Sequence, residues 1–216
     1  MSNNYINSLD KHLSQRIAEL SVQIKGQGNP QAKVPPMPKL LMAALKNEWE
    51  TTLLTSIWVT NENNADFRIC LARLAGDEAR HFTLIENRLK ELGGSKNEEE
   101  LNKRSQLFQF LQQQTTTFDR AVTGPYAREA LAVMRNEVFL EHCQQIKDLA
   151  TIEIYQTIQK DEAHHHQLGR TILSQLINSQ LDFENAVKKI NEVLTVVDEI
   201  QEMAVMKMGI CKLPGC

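Results

Sequence analysis

The sequence is short of chain breakers, with nine glycines and six prolines in 216 residues. Four of the prolines, Pro30, Pro35, Pro36 and Pro38, crowd into one stretch. That scarcity excludes an all-β sandwich or barrel, which needs many turns. No apolar run reaches the roughly 18 residues that span a bilayer, so no membrane partner is expected. The opening Met1-Ser-Asn-Asn-Tyr-Ile-Asn lacks the basic segment and apolar core of an export signal. Basic charge is not in excess: 24 Lys and Arg stand against 27 Asp and Glu, for a net charge of −3. A generally basic nucleic-acid binder is thereby excluded, though not a local patch. The four cysteines follow no pairing pattern, which points to free thiols in a reducing compartment. The expectation is a cytoplasmic, mostly helical enzyme or binding protein, long enough to bury a sizeable core.

Apolar residues recur three or four apart almost throughout. Ile6, Leu9, Leu13, Ile17, Leu20 and Ile24 predict a helix over 4–25, which a Pro/Gly-rich linker ends at 26–39. Further helices are predicted over 38–60 and 65–92, separated by an Asn61-Glu-Asn-Asn64 turn; Gly93-Gly94 stops the second. A shorter polar helix spans 98–114, opened by the acidic run Glu98-Glu-Glu100. Gly124-Pro125 opens or kinks the next long helix, which runs to about 148. Two more follow over 150–178 and 182–208. Long helices joined by short loops pack as antiparallel neighbours, so the predicted fold is an all-α bundle. Residues 1–39 form an N-terminal helix and linker, 40–178 the four-helix bundle, and 181–216 a C-terminal helix and tail.

One segment echoes another. Asp77-Glu-Ala-Arg-His81 and Asp161-Glu-Ala-His-His165 share the pattern Asp-Glu-Ala-x-His, each in the middle of a long helix. At about 100° per residue, Glu78 lies about 20° and His81 about 40° from the centre of the stripe formed by Phe67, Leu71, Leu74, Phe82, Ile85 and Leu89. Glu162 and His165 straddle the stripe of Ile154, Tyr155, Ile158, Ile172 and Leu173. Two Glu-x-x-His pairs therefore point into the core, where carboxylates are rare unless paired or bound to metal.

The helix before each pair should add another inward carboxylate. On the helix over 38–60, Leu45, Trp49, Leu53, Leu54 and Ile57 set the apolar side. Glu50 lies about 70° from it and is preferred. The alternative, Glu48, falls on the opposite face with Thr51, Thr52 and Thr55. On the helix after Gly124-Pro125, Glu129 shares a face with Ala132, Val133, Leu140 and Cys143. It is preferred to Glu137 and Glu141, which sit with Gln144 on a more polar side. The metal-ligand set is then Glu50, Glu78, His81, Glu129, Glu162 and His165. Two divalent cations would neutralise its four carboxylates, which left empty would have to protonate or cost several kcal/mol each. Oxygen-rich mixed sets suit iron or manganese better than structural zinc.

These residues resemble the ferritin-like di-iron carboxylate superfamily, which includes bacterioferritin, rubrerythrin and the di-iron oxygenases. Asp77 to Gly93 is similar to the second bundle helix of bacterioferritins, and Asp148 to His165 to the fourth. The 33 residues from Glu129 to Glu162 match the family's usual gap, whereas the 28 from Glu50 to Glu78 fall short of it. The resemblance covers about residues 40–178. It implies a ferritin-like four-helix bundle holding two iron ions, with Glu78 and Glu162 bridging them. Glu50 and His81 would complete one ion, Glu129 and His165 the other. It also implies that Asp77 and Asp161 each orient the histidine of the opposite half. Tyr155, on the same stripe as Glu162, is a candidate redox-active neighbour or a core tyrosine.

The expected function is oxidoreductase chemistry on dioxygen or peroxide, with a small-molecule substrate, an external electron donor and a homodimeric assembly. The alternatives are ferroxidase and iron handling, tRNA hydroxylation suggested by the local Glu-Ala-Arg-His-Phe run, and a metal-free helical scaffold. Other residues take blander readings. His164 and His166 face away from the ligands, and Arg128, Arg135 and His142 form an exposed stripe at seven-residue steps. Cys70 and Cys143 lie too far along their helices to be ligands. Cys211 and Cys216 belong to a tail, and Met203, Met206 and Met208 serve packing.

Overall fold

A computed structural model describes residues 2–26 and 34–208, and among the described residues the chain is all-helical with no strand. The helices are α1 (Ser2–Gly26), α2 (Met37–Asn61), α3 (Ala65–Glu91), α4 (Glu98–Asn102), α5 (Gln106–Gln112), α6 (Thr117–Ala121), α7 (Glu129–Ile146), α8 (Leu149–Leu176) and α9 (Gln180–Met208). A π-helical turn, Val122–Arg128, joins α6 to α7. Cys211, Cys216 and the side chains of Met206 and Met208 lie outside the described residues.

Short polar side chains set the boundaries by accepting from otherwise unpaired N–H groups. Asn64 accepts from Phe67 N at the start of α3, Thr116 from Asp119 N ahead of α6, and Asp148 from Thr151 N at the start of α8. At the other end of α3, Gly93 takes φ 74°, the left-handed conformation glycine adopts without strain. The single polar helix expected over 98–114 is two helices, α4 and α5. Ser105 breaks it, because its hydroxyl caps α5 by accepting from Phe108 N while its own N and Oγ donate to Glu50 at 2.7 and 2.5 Å.

Gly124-Pro125 neither opens the next helix nor ends the one before it. Helix begins earlier, at Thr117, and the π turn carries it through Pro125, which has no N–H to donate to the ladder. Gly169 on α8 makes this passage possible. A Cβ there would stand 2.6 Å from Pro125 C and Tyr126 N, so only a bare Cα lets α8 lie against the π turn.

The two long pairs, α2 with α3 and α7 with α8, face each other through α3 and α8. Helices α1 and α9 pack on one another, α9 also covering the π turn and α1 covering α7 and α8. The apolar interior forms two clusters. One contains Leu40, Leu41, Leu45, Ile85, Leu89, Phe139, Tyr155 and Ile158. The other contains Leu54, Trp58, Phe67, Leu71, Leu131, Ile172 and Leu173. Along α2, α3 and α8 the chain passes from one cluster to the other through buried Glu48, through Glu78 and His81, and through Glu162 and His165. A polar layer therefore separates two apolar ones.

A second buried polar knot ties the α2–α3 turn to α6. Glu62 accepts from Asn64 N at 2.9 Å and from Thr117 Oγ1 at 2.6 Å, and pairs with Arg120 Nη1 at 3.2 Å. Arg120 also donates to Gln114 O and Asn61 O. Burial opposes ionisation of Glu62, but these donors outweigh it and hold its carboxyl below the ordinary value of 4.5. A depressed carboxyl stabilises the fold fully above pH 4.5 and loses that contribution as pH falls through the lowered value.

Three substitutions test these features through stability. Glu62→Gln should cost about 2 kcal/mol in urea unfolding at pH 7, and the gap from the parent chain should close as pH drops below about 4. Gly169→Ala should cost about 1–3 kcal/mol through overpacking against backbone. Gly76→Ala, where a Cβ meets nothing within 4 Å, should instead gain about 0.5–1 kcal/mol from helix propensity.

Candidate metal centre

Glu48, Glu78, His81, Glu129, Glu162 and His165 are all at most 5% exposed and converge between α2, α3, α7 and α8. They form two groups. Glu48, Glu78, His81 and Glu162 make one, and Glu78, Glu129, Glu162 and His165 the other; in each, one ligand atom from every residue lies within 4.8 Å of the rest. Glu78 and Glu162 belong to both.

The histidines are aimed by carboxylates of the opposite pair. His81 Nε2 lies 3.1 Å from Asp161 Oδ2 and His165 Nε2 lies 3.1 Å from Asp77 Oδ2. Arg80 holds both aspartates, at 2.7 Å from Asp161 and 3.6 Å from Asp77. Each Nδ1 is thereby turned into the cluster. His81 Nδ1 stands 3.4 Å from Glu48 and 3.7 Å from Glu162; His165 Nδ1 stands 3.4 Å from Glu78 and 3.6 Å from Glu162. The reciprocal arrangement follows from the repeated Asp-Glu-Ala-x-His segment, since each Asp precedes its Glu by one residue and faces the neighbouring helix.

Burial and neighbouring charge act unequally on these groups. Burial, reinforced by Glu78, pushes Glu48 up to about 8. Burial together with Glu129 and Glu78 raises Glu162 well above the carboxylate range. Burial also opposes ionisation of Glu78, but the closeness of His165 and Glu48 and the charge of Arg128 outweigh it and hold the carboxyl at about 2. For the imidazoles burial disfavours the charged form, yet Glu48 and Glu78 bring His81 up to about 9 and Glu78 and Glu129 do the same for His165. Burial against Glu48 raises the Tyr155 hydroxyl well above its ordinary value.

Even so, the cluster is not satisfied from within. Glu48 Oε2, Glu78 Oε1, His81 Nδ1, Glu129 Oε2, Glu162 Oε2 and His165 Nδ1 are all buried without a hydrogen-bond partner, as is Tyr155 Oη. Unpaired buried polar atoms are uncommon and costly. Six from six different side chains, gathered in two overlapping groups, make a donor set of carboxylate oxygen and imidazole nitrogen placed where it could hold metal.

Of the residues the sequence singled out, Glu78, His81, Glu129, Glu162 and His165 come together, with Asp77 and Asp161 behind the histidines. Glu50 does not join them. It turns toward α5, where Ser105 occupies both its oxygens, and Glu48 takes its place. The apolar stripe read on α2 was misleading because the buried face includes Thr51 and Thr55 as well as Leu41, Ala44, Leu45 and Glu48. Their hydroxyls donate to carbonyls one turn back, Thr51 to Asn47 O at 2.8 Å and Thr55 to Thr51 O at 2.7 Å, so a buried threonine need not find its acceptor outside its own helix. The spacing carried a signal: 30 residues separate Glu48 from Glu78, nearer the 33 of the second half.

Arg128, which the sequence placed on an exposed stripe, lies beside the cluster instead. Arg128 and His142 are both buried. Arg128 Nη1 donates to Glu129 Oε1 at 2.8 Å and Nη2 donates to Thr51 Oγ1. His166 is half-buried rather than at the surface, stacking on Tyr126 with Nδ1 2.7 Å from its carbonyl, whereas His164 is exposed. Cys70 and Cys143 are buried free thiols outside both groups. No helix among the described residues is long and apolar enough to cross a membrane.

Comparison with known proteins adds a family. Neither the curated proteins nor the solved structures contain a match to this chain. A family model described as "Protein of unknown function (DUF455)" matches residues 40–203, spanning every residue of the cluster. The chain belongs to the DUF455 family.

Proposed function

We propose that the cluster is a dinuclear metal centre, most simply di-iron with manganese as the alternative, and that the protein is an oxidoreductase acting on dioxygen or peroxide. In this reading α2, α3, α7 and α8 form a ferritin-like four-helix bundle around the centre. The observation that supports it is the set of six unpartnered, inward-facing donor atoms. A metal-free scaffold would be expected to pair them with one another or replace them with apolar residues.

Glu48 and His81 would hold one ion and Glu129 and His165 the other, with Glu78 and Glu162 shared between them as they are shared between the two groups. Four carboxylates balance two divalent cations, so loading would offset the burial and mutual repulsion that otherwise disfavour the charged forms of Glu48 and Glu162. Bound iron would supply the ferrous–ferric couple needed to reduce dioxygen or peroxide. The chain's own residues do the positioning. Asp161 and Asp77 accept from the Nε2–H groups and keep each Nδ1 directed inward. Arg128 engages one oxygen of Glu129 and leaves the other facing the cluster. The apolar layers on either side exclude bulk water.

Elemental analysis after expression with added iron or manganese should give about two metals per chain. His81→Ala/His165→Ala should lose that metal while retaining helical circular dichroism, and Glu48→Ala should lose about half or more. Glu50→Ala should keep the full complement. Folded protein with less than about a tenth of a metal per chain under both conditions would overturn the reading. Asp77→Ala and Asp161→Ala, which remove no donor atom, should each weaken metal affinity by about 10–100-fold in chelator competition.

A further inference from the structure

An open groove of about 430 Å³ runs between α1, α7 and α8. Each long helix gives it one face, α1 through positions 14, 17, 18 and 21 and α7 through 130, 133, 134 and 137, the three- and four-residue steps of neighbours on a helix surface. Small side chains leave the space: Ala18 on α1, Ala130 on α7 and Ala163 on α8. Ile17, Val133 and Met134 supply an apolar wall. Ala130 and Ala163 follow the cluster acids Glu129 and Glu162 by one residue, so at about 100° per residue the groove looks away from the cluster.

Glu137 lines the groove and is exposed, and no Lys or Arg stands among the lining residues. Among the described residues its carboxylate has no hydrogen-bond or ion-pair partner. His166 stacks on Tyr126 with ring centroids 5.0 Å apart and sets Nδ1 2.7 Å from the Tyr126 carbonyl oxygen. A carbonyl only accepts, so Nδ1 carries the hydrogen and the neutral ring offers Nε2 as an acceptor. Ser14 and Ser21 add hydroxyls, which accept as readily as they donate. The groove therefore offers acceptors and a single negative charge beside an apolar wall.

We propose that this groove binds a primary ammonium ligand with a compact apolar body, an arylalkylamine in kind. The assignment stands on the groove alone and does not need the dinuclear reading. An ammonium brings three N–H donors and one positive charge, which answer Glu137 and His166 together. A carboxylic acid would set like charges against each other, and a neutral apolar molecule would leave Glu137 and the imidazole to water. An apolar cavity of about 150 Å³ holds benzene, so this groove has room for a ring and a two-carbon arm. 2-Phenylethylamine has that size and charge.

Four probes of similar shape separate the contributions: 2-phenylethylamine, its quaternary N,N,N-trimethyl derivative, 2-phenylethanol and 3-phenylpropionate. Calorimetric titration of the full chain should show saturable binding of the amine, about tenfold weaker binding of the alcohol and none of the acid. The quaternary ammonium, which keeps the charge but has no N–H, should bind about fivefold weaker or worse. Glu137→Gln should weaken amine binding by about three- to fivefold. Ala18→Trp, which fills the groove from an exposed position on α1, should abolish binding with helical circular dichroism unchanged. Absence of saturable amine binding, or binding that Ala18→Trp leaves intact, overturns the site. Equal affinity for the alcohol, or an amine affinity unchanged in Glu137→Gln, overturns the cationic class. Equal affinity for the quaternary ammonium overturns recognition through donated hydrogen bonds. Metal content is measured separately, so failure of the groove and failure of the dinuclear reading are told apart.

Discussion

Burying four carboxylates and two imidazoles in one layer of a helical protein is the constraint to which the remainder of this fold answers. Each charge withdrawn from water costs several kcal/mol unless it is paired or neutralised. The chain meets part of that cost internally: nearby carboxylates favour the charged form of His81 and His165, burial favours the neutral form of Glu48 and Glu162, and Arg128 lies against Glu129. What remains is the group of inward atoms with no partner. Stability of the rest of the molecule must carry that deficit, and the two apolar clusters on either side are placed to do so.

The cross-connection of the halves follows from the same constraint. Each histidine is steered by an aspartate from the other Glu-x-x-His helix, and Arg80 spans both aspartates. Neither pair is therefore complete without its counterpart, and the α3–α8 contact is as much an electrostatic closure as an apolar one. Helices α1 and α9 lie outside this exchange but not apart from it. Asp10 of α1 accepts from the Tyr126 hydroxyl at 2.8 Å and from Arg170 Nε at 2.9 Å, which clamps the π turn from outside, and α9 closes one wall of a small cavity that Arg128 also lines.

Much of this was legible in the sequence because the strongest signal was a contradiction: acids and histidines on stripes that ought to be apolar. That signal located Glu78, His81, Glu162 and His165 without reference to loops or turns. It failed on α2 for a physical reason. Threonine counts as polar in a sequence pattern, yet Thr51 and Thr55 satisfy their hydroxyls on their own helix and pack inward, so the buried face looked like the solvent face. Arg128 was misplaced for a related reason, because a guanidinium beside a buried carboxylate has the same sequence appearance as one in water. The break at Ser105 and the passage through Pro125 depend on contacts with α2 and α8 respectively, and no local pattern reports such distant partners.

The π turn has a meaning beyond accommodating proline. A widened turn is an α-helix carrying one surplus residue, and everything after it is rotated by about 100° relative to the uninterrupted helix. Val122–Arg128 ends at the residue before Glu129, so the direction in which α7 presents its first acid is set by that surplus. Consecutive residues then look into different compartments, Arg128 toward the cavity and Glu129 toward the cluster. The phase of one helix, more than the identity of any side chain upon it, decides which of the two faces inward.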